Sequence, residues 1–329
     1  MTVSPPFTNS PAPLPLTIRD IEAAANRITP FLQPTPLFTS RTFDQIVHNQ
    51  CFFKGEHYQR GGSFKVRGAM NRILQLGTGE RERGVVAFSS GNHSQGVAIA
   101  AKTLGIPATI VMPNDAPQAK RQATLGYGAE IVDYDRQQQD REAIAQELAR
   151  ERGLTLIPPY DDWQIIAGQG TVALELFQQV ADLDVLMVPL GGGGLLSGCS
   201  MVARTVNPTI TIYGVEPETG DDFYQSLQKG ERVRIPVPDT IADGIRTTYP
   251  GVCTFAVIRQ MVDGVLLVSD AEILQAMRFL LYRMKMVVEP TGAVAVAALL
   301  SHKLAIQGKR VGLVLSGGNV DAEILAQAL

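Results

Sequence analysis

The stretch Val185-Leu186-Met187-Val188-Pro189-Leu190-Gly191-Gly192-Gly193-Gly194-Leu195-Leu196 decides the fold class. It opens with a short, unbroken apolar run, turns on four glycines, and continues into an apolar-periodic segment that reaches about Val206. A strand with one wet face would alternate apolar and polar residues. Val185–Val188 does not, so it reads as a strand covered on both faces. The same strand–turn–helix grammar recurs to either side. Strands are expected at Val85–Ser89, Ala108–Met112, Ile131–Tyr134, Thr211–Val215 and Val311–Leu315. Helices are expected at Gln95–Leu104, Ala116–Leu125, a charged segment through Arg150, Thr171–Val180, Ala271–Met284 and Gly292–Leu300. Strands alternating with helices imply parallel-rich, twisted sheets built from right-handed βαβ units, an α/β fold.

At 329 residues the chain is too long for one simple core and suits two packed lobes. Hydrophobic residues at 45% and charged residues at 19% exclude global disorder. A formal net charge of -3 gives no basis for a nucleic acid or an anionic membrane as partner. No uncharged apolar stretch reaches the roughly 18 residues of a membrane span. Cys51, Cys199 and Cys253 are scattered and form no CxxC, which suits a reducing compartment. Residues 1–16 carry Pro5, Pro6, Pro11, Pro13 and Pro15 but neither a basic nor an apolar signal region, so a flexible tail and a cytoplasmic location are expected.

In open α/β sheets, ligands bind beyond the carboxyl ends of the strands. Three unusual segments stand there. Gly191–Gly194 exposes backbone N–H groups at the start of a helix, a cup for phosphate, although it lacks the lysine of a GxxxxGK[ST] loop and the spacing of GxGxxG. Ser89-Ser90-Gly91-Asn92-His93 offers several donors to a carboxylate and an amide to a phenolic oxygen. Ser316-Gly317-Gly318-Asn319 puts a hydroxyl where it could meet a ring nitrogen. A fourth segment, Gly61-Gly62-Ser63-Phe64-Lys65-Val66-Arg67-Gly68-Ala69, sets one lysine among small residues at a helix start. Desolvation there frees the amine as a nucleophile, and a Schiff base with an aldehyde cofactor is its natural use. Taken singly, each segment is also explained by a tight strand–helix turn, an N-cap or a surface lysine.

In this order, the four segments closely resemble the fold-type II enzymes that use pyridoxal 5'-phosphate (PLP), with the tryptophan synthase β-like fold. Within that group they are similar to the serine racemase and serine/threonine dehydratase family. The resemblance runs from about Ile18 to Asp321 and includes Ala167-Gly168-Gln169-Gly170-Thr171, Thr240-Ile241-Ala242-Asp243-Gly244 and Glu289-Pro290-Thr291. It implies that Lys65 carries the cofactor and removes the substrate's α-proton, with Phe64 beside the ring. It gives Asn92 to the phenolic oxygen, and Gly191, Gly192, Gly193, Gly194 and the backbone of Leu195 to the phosphate. Ser316 would face the pyridine nitrogen, and Gly244 and Glu289 would line the pocket. Ser89, Ser90, Asn92 and His93 would hold the substrate carboxylate, with Arg141 near the substrate. Ser90 would also be the second acid/base that racemisation needs.

The implied reaction is dehydration and deamination of L-serine or L-threonine to a 2-oxo acid and ammonia, with serine racemase activity alongside. The alternative is 3-hydroxyaspartate ammonia-lyase, in which Arg141 would meet the extra carboxylate. Cysteine synthase-type β-replacement is disfavoured because that branch carries Thr-Ser-Gly-Asn-Thr where this chain has His93. A non-catalytic amino-acid-binding protein is disfavoured by the intact Lys65, Asn92, glycine run and Ser316.

The resemblance also places a divalent cation, Mg²⁺ or else Ca²⁺ or Mn²⁺, on Glu216, the carbonyl of Gly220, and Asp222. Hard oxygen ligands of this kind suit such ions. It implies a homodimer, with a small mobile domain at 81–159 and a large PLP-binding domain at 17–80 and 160–329. Tyr127 and Lys285 lie at positions compatible with an ATP effector. The chain stops soon after Asp321, which leaves no room for an amino-acid-sensing domain. Two residues depart from the pattern: Gly61 precedes Gly62 in place of a threonine, and Tyr282 stands where an acid is common.

Overall fold

The computed structural model describes residues 13–329 other than 90, 117 and 136. Ten strands form two sheets. The larger sheet holds β1 (Leu37–Phe38), β2 (Gln50–Gly55), β7 (Val185–Pro189), β8 (Thr211–Pro217), β9 (Gly264–Val268) and β10 (Arg310–Leu315), in the order β1-β2-β10-β7-β8-β9. Only the β1–β2 pair is antiparallel. The smaller sheet, wholly parallel, holds β3 (Val85–Phe88), β4 (Ala108–Pro113), β5 (Glu130–Tyr134) and β6 (Thr155–Leu156), in the order β5-β4-β3-β6.

The apolar strands are continuous because both faces of the large sheet are covered. Leu186, Val188, Ile212 and Val314 pack on one side with Ile166, Leu176 and Leu196. Val185, Met187, Val311, Leu313 and Leu315 pack on the other with Ala293, Val296 and Leu299. Leu16 is buried and Leu14 packs against the first of these clusters. The anchored chain thus starts ahead of residue 17, where the tail was expected to end. Residues 1–12 of that tail lie outside the described residues.

Three helices meet at very short range. A Cβ on Gly168 would lie 2.6 Å from the Cα of Gly68, and one on Gly198 would lie 2.4 Å from the backbone N of Gly170. Only glycine permits this crossing of Lys65–Ile73, Trp163–Gln179 and Gly194–Val206. The close approaches lie about one turn beyond the first residues of two of them, Lys65 and Gly194. A buried ionic cluster locks the same junction. The Arg67 guanidinium reaches Glu56 at 2.7 Å and Glu175 at 2.6 Å, and Lys54 Nζ reaches Glu175 at 2.7 Å. Thr35 Oγ1 donates to Glu56 at 2.5 Å.

Both sheets change strand order in a way that opens a crevice. In the large sheet it lies between β7 and β10, in the small one between β3 and β6. The loops beyond these four strands are Gly191–Gly194, Ser316–Asn319, Ser89–His93 and the crossover Ile157–Asp162.

Candidate active site

Lys65 is the first residue of its helix. Its Nζ donates to the carbonyl of Pro159 at 2.8 Å. Burial pushes its ammonium down to about 8, against an opposing pull from Glu289. A helix N-terminus adds positive potential and favours the free amine in the same direction. The Ser316 loop lies directly alongside: Phe64 N donates to Ser316 O at 3.1 Å, and Ser63 bridges to Gly317. The Ser316 hydroxyl is buried and makes no hydrogen bond. An unpaired buried hydroxyl costs roughly 1–3 kcal/mol, so an absent partner is implied.

The glycine turn leads into the helix Gly194–Val206. Gly193 has φ +87°, a conformation that side chains resist. The amides of Gly191, Gly192 and Gly193 make no hydrogen bond among the described residues. Together with the helix N-terminus they form a concentrated anion site. The carbonyl of Gly244 comes within 3.0 Å of where a Cβ on Gly191 would be, and Gly244 N donates to Thr291 Oγ1 at 3.0 Å. The wall of the cup therefore includes Gly244.

Asn92 and His93 open the helix Asn92–Leu104, three residues earlier than expected. Asn92 Nδ2 donates to Glu289 Oε1 at 2.7 Å, and Asn92 Oδ1 accepts from Asn319 Nδ2 at 2.8 Å. His93 Nε2 lies 2.8 Å from the carbonyl of Ile157. A carbonyl only accepts, so Nε2 carries the hydrogen and Nδ1 is an acceptor. Burial, with the Lys65 charge adding to it, pushes the imidazole down to about 3. A neutral ring with an acceptor Nδ1 cannot donate to a carboxylate. What His93 can offer an anion is its backbone N–H in the first helical turn. Ser89 Oγ accepts from Gly91 N at 3.1 Å. Ser90 lies outside the described residues.

Arg141 starts the helix Arg141–Arg152, and its guanidinium stands 5.7 Å from the centre of the Phe88 ring, at the carboxyl end of β3. It forms no ion pair among the described residues. The acidic stretch is not a free loop. Glu216 is the penultimate residue of β8 and Asp222 starts a helix, and both side chains are buried. Glu216 accepts from Phe223 N at 3.2 Å and Tyr224 N at 3.0 Å, while Asp222 Oδ2 has no partner. Burial pushes both carboxyls up; the charge of Asp222 adds to this at Glu216, whereas the contact with Glu216 holds Asp222 partly back. No group of three or more acidic, histidine or cysteine side chains able to hold a metal occurs among the described residues. Any cation here would rest on two carboxylates, backbone oxygen and water.

One site residue carried no sequence signal. The Tyr160 ring lies on the glycine turn: a Cβ on Gly192 would fall 2.1 Å from it. Its phenol is pushed up to about 12 by burial and by Asp161, Asp222 and Glu142, with Arg141 opposing.

A family model described as pyridoxal-phosphate dependent enzyme matches residues 28–317. The chain belongs to this family. It is 53% identical over 305 residues to L-threo-3-hydroxyaspartate ammonia-lyase of Saccharomyces cerevisiae, covering 93% of this chain and 94% of that one. It is 50% identical over 313 residues to serine racemase of Schizosaccharomyces pombe, covering 95% and 97%. The solved structure of maize serine racemase matches with a TM-score of 0.91 at 40% identity, over 95% of this chain and 96% of that one. The protein is a fold-type II PLP enzyme of the serine racemase family. Its residues fit the cofactor. The orphaned Ser316 hydroxyl, the three unbonded glycine amides and the depressed Lys65 amine match a ring nitrogen, a phosphate and an aldehyde. No helix among the described residues is long and apolar enough to cross a membrane.

Proposed function

We propose that this PLP enzyme catalyses α,β-elimination on a small hydroxy amino acid, L-serine or L-threonine, releasing a 2-oxo acid and ammonia. The observation that carries the reading is the buried, unpartnered hydroxyl of Ser316. A neutral group there leaves the pyridine nitrogen unprotonated. When bound, PLP supplies an electron sink for the α-carbon, weakened by that neutral partner. A weak sink favours prompt loss of a β-substituent.

The chain's own residues do the rest. Lys65 would hold the cofactor through Nζ, and its free amine, with a pKa near working pH, takes the substrate's α-proton. Phe64 packs beside the ring, and the amides of Gly191–Gly194 and Leu195 hold the phosphate. Gly244 and Glu289 line the pocket, and Asn92 directs an amide hydrogen at the phenolic oxygen. Ser89, Ser90, Asn92 and His93 hold the substrate carboxylate at a helix N-terminus. Ser90 is the acid/base on the face opposite Lys65, which adds serine racemisation. Closure of residues 81–159 over the rest excludes water.

One observation favours a second reading, 3-hydroxyaspartate ammonia-lyase: Arg141 stands at the end of β3 with no ion pair among the described residues and would meet a second carboxylate. Incubation with L-Ser, D-Ser, L-Thr and both 3-hydroxyaspartates, assaying 2-oxo acid and chirality, tests both. No 2-oxo acid from any of them would refute the elimination reading. A Ser90→Ala variant that keeps racemase activity and loses only elimination would refute the role of Ser90.

The unpartnered Asp222 Oδ2 supports an activating Mg²⁺, Ca²⁺ or Mn²⁺ held by Glu216, Asp222 and the Gly220 carbonyl. A cation bound only by the folded state raises the melting temperature with concentration. Chelation that changes neither activity nor melting temperature would remove it. In this reading the enzyme works as a cytoplasmic homodimer, and an ATP effector would bear on Tyr127 and Lys285.

A further inference from the structure

We propose that Asn319 is a positioning residue that fixes which way the Asn92 amide points toward the cofactor ring. This rests on the reading of Asn92 as donor to the phenolic oxygen. Side-chain amides can often be turned over without changing their shape, but here the direction is forced. The carbonyl of Gly61 can only accept, so the Asn319 atom 2.7 Å from it is Nδ2. The same Nδ2 lies 2.8 Å from Asn92, so the Asn92 atom facing it is Oδ1. Asn92 Nδ2 is thereby turned the other way. It spends one hydrogen on Glu289 Oε1 at 2.7 Å and keeps the second for a ligand.

The relay links three elements. Gly61 follows β2, Asn319 follows β10, and Asn92 opens a helix behind the small sheet. Gly61 and Gly62 both have positive φ, 82° and 72°, which turns the Gly61 carbonyl toward Asn319. A Cβ on Gly62 would fall 2.4 Å from Asn319 Oδ1. Gly61, which stands in place of a threonine, and Gly62 together form the turn on which Asn319 rests.

Asn319→Asp in the holoenzyme keeps the shape and removes the donor. The new carboxylate then competes with Glu289 for Asn92 Nδ2, and where it wins Asn92 presents Oδ1 to the ring. PLP affinity falls roughly tenfold, and the ratio of the two absorption bands of the bound cofactor changes. Asn319→Ala introduces no competing acceptor and leaves Asn92 held by Glu289 alone, so its effect on both is smaller. An aspartate variant worse than the alanine variant, with an altered band ratio, supports the relay. Equal effects, a worse alanine variant, or an unaltered band ratio overturns it. If the aspartate variant does not fold, the alanine variant decides: an altered band ratio at unchanged melting temperature supports the relay, and an unaltered one overturns it. Asn92→Ala separates the two layers. If it shifts the bands and Asn319→Asp does not, the relay alone fails. If it leaves the bands unmoved, the reading of Asn92 fails and the relay falls with it.

Discussion

Cofactor capture by Lys65 can be read out against pH. An ordinary lysine has its midpoint at 10.5, and burial brings Lys65 down to about 8. At pH 7 the neutral amine is then roughly 9% of the population instead of roughly 0.03%, a gain of about 300-fold in nucleophile. Enzyme stripped of PLP should therefore recapture it at a rate that rises about tenfold per pH unit below that midpoint and levels off above it. The PLP phosphate is fully ionised above about pH 7, so the glycine turn adds no slope there. His93, held near 3, stays uncharged throughout. Stopped-flow absorbance between pH 6 and 10 measures the profile. Glu289→Gln sharpens the test, because the Glu289 charge favours the ammonium form. Its removal should lower the midpoint and raise the rate at pH 7 without changing the plateau. A midpoint near 10, or an upward shift in the Glu289→Gln variant, would refute the burial argument.

Three further outcomes follow from contacts in the fold and the site. Gly198→Ala places a Cβ 2.4 Å from the backbone N of Gly170 and the carbonyl of Ile166, neither of which can yield without prying two helices apart. It should cost about 3 kcal/mol or more in urea unfolding, and a loss below about 1 kcal/mol would contradict the close crossing. Ser316→Ala removes a hydroxyl with no protein partner, so the cofactor-free melting temperature should hold while PLP affinity drops about five- to tenfold. A fall in melting temperature with unchanged affinity would make the hydroxyl structural. Arg67→Met leaves the buried Glu56 without its cation, while Glu175 keeps Lys54, and should cost about 3–5 kcal/mol, part of it restored by adding Glu56→Gln. Strict additivity of the two changes in guanidinium titrations would show that the cluster is not coupled.

The parallel core was legible because strands buried on both faces leave an unbroken apolar run, as at Val185–Val188 and Val311–Leu315. The strand β2 was not, because Lys54 interrupts it, and the partner that neutralises Lys54 is Glu175, 121 positions away. The helix Trp163–Gln179 begins eight residues before its expected start at Thr171. Gly168 and Gly170 disguised its first two turns, since local propensity counts glycine against a helix while packing requires it here. The helix expected over Ala271–Met284 changes at Leu280 into a π turn that ends on Lys285 in a left-handed conformation. No residue type announces that change. The four motif segments were legible for another reason. They present serine, asparagine and lysine side chains or the bare amides of glycine, so chemistry and residue type coincide.

The crossover Ile157–Asp162 shows where that coincidence ends. Its sequence, Ile-Pro-Pro-Tyr-Asp-Asp, reads as a loop with two prolines. Its carbonyls at Ile157 and Pro159 hold His93 and Lys65, and the Tyr160 ring rests on the glycine turn. Asp161 accepts from Val252 N and Cys253 N, and Asp162 caps the helix Trp163–Gln179 through Gln164 N and Ile165 N. Only the last of these has a sequence signature, an aspartate one residue before a helix. Carbonyls belong to every residue, and a ring packed on glycine looks like any buried tyrosine. Yet this segment is where the chain passes from the small sheet back to the large one. Any displacement of the small sheet therefore reaches Lys65, His93 and the phosphate cup through the same six residues. Such a link runs through two backbone carbonyls and one ring, which explains why it is absent from the motifs.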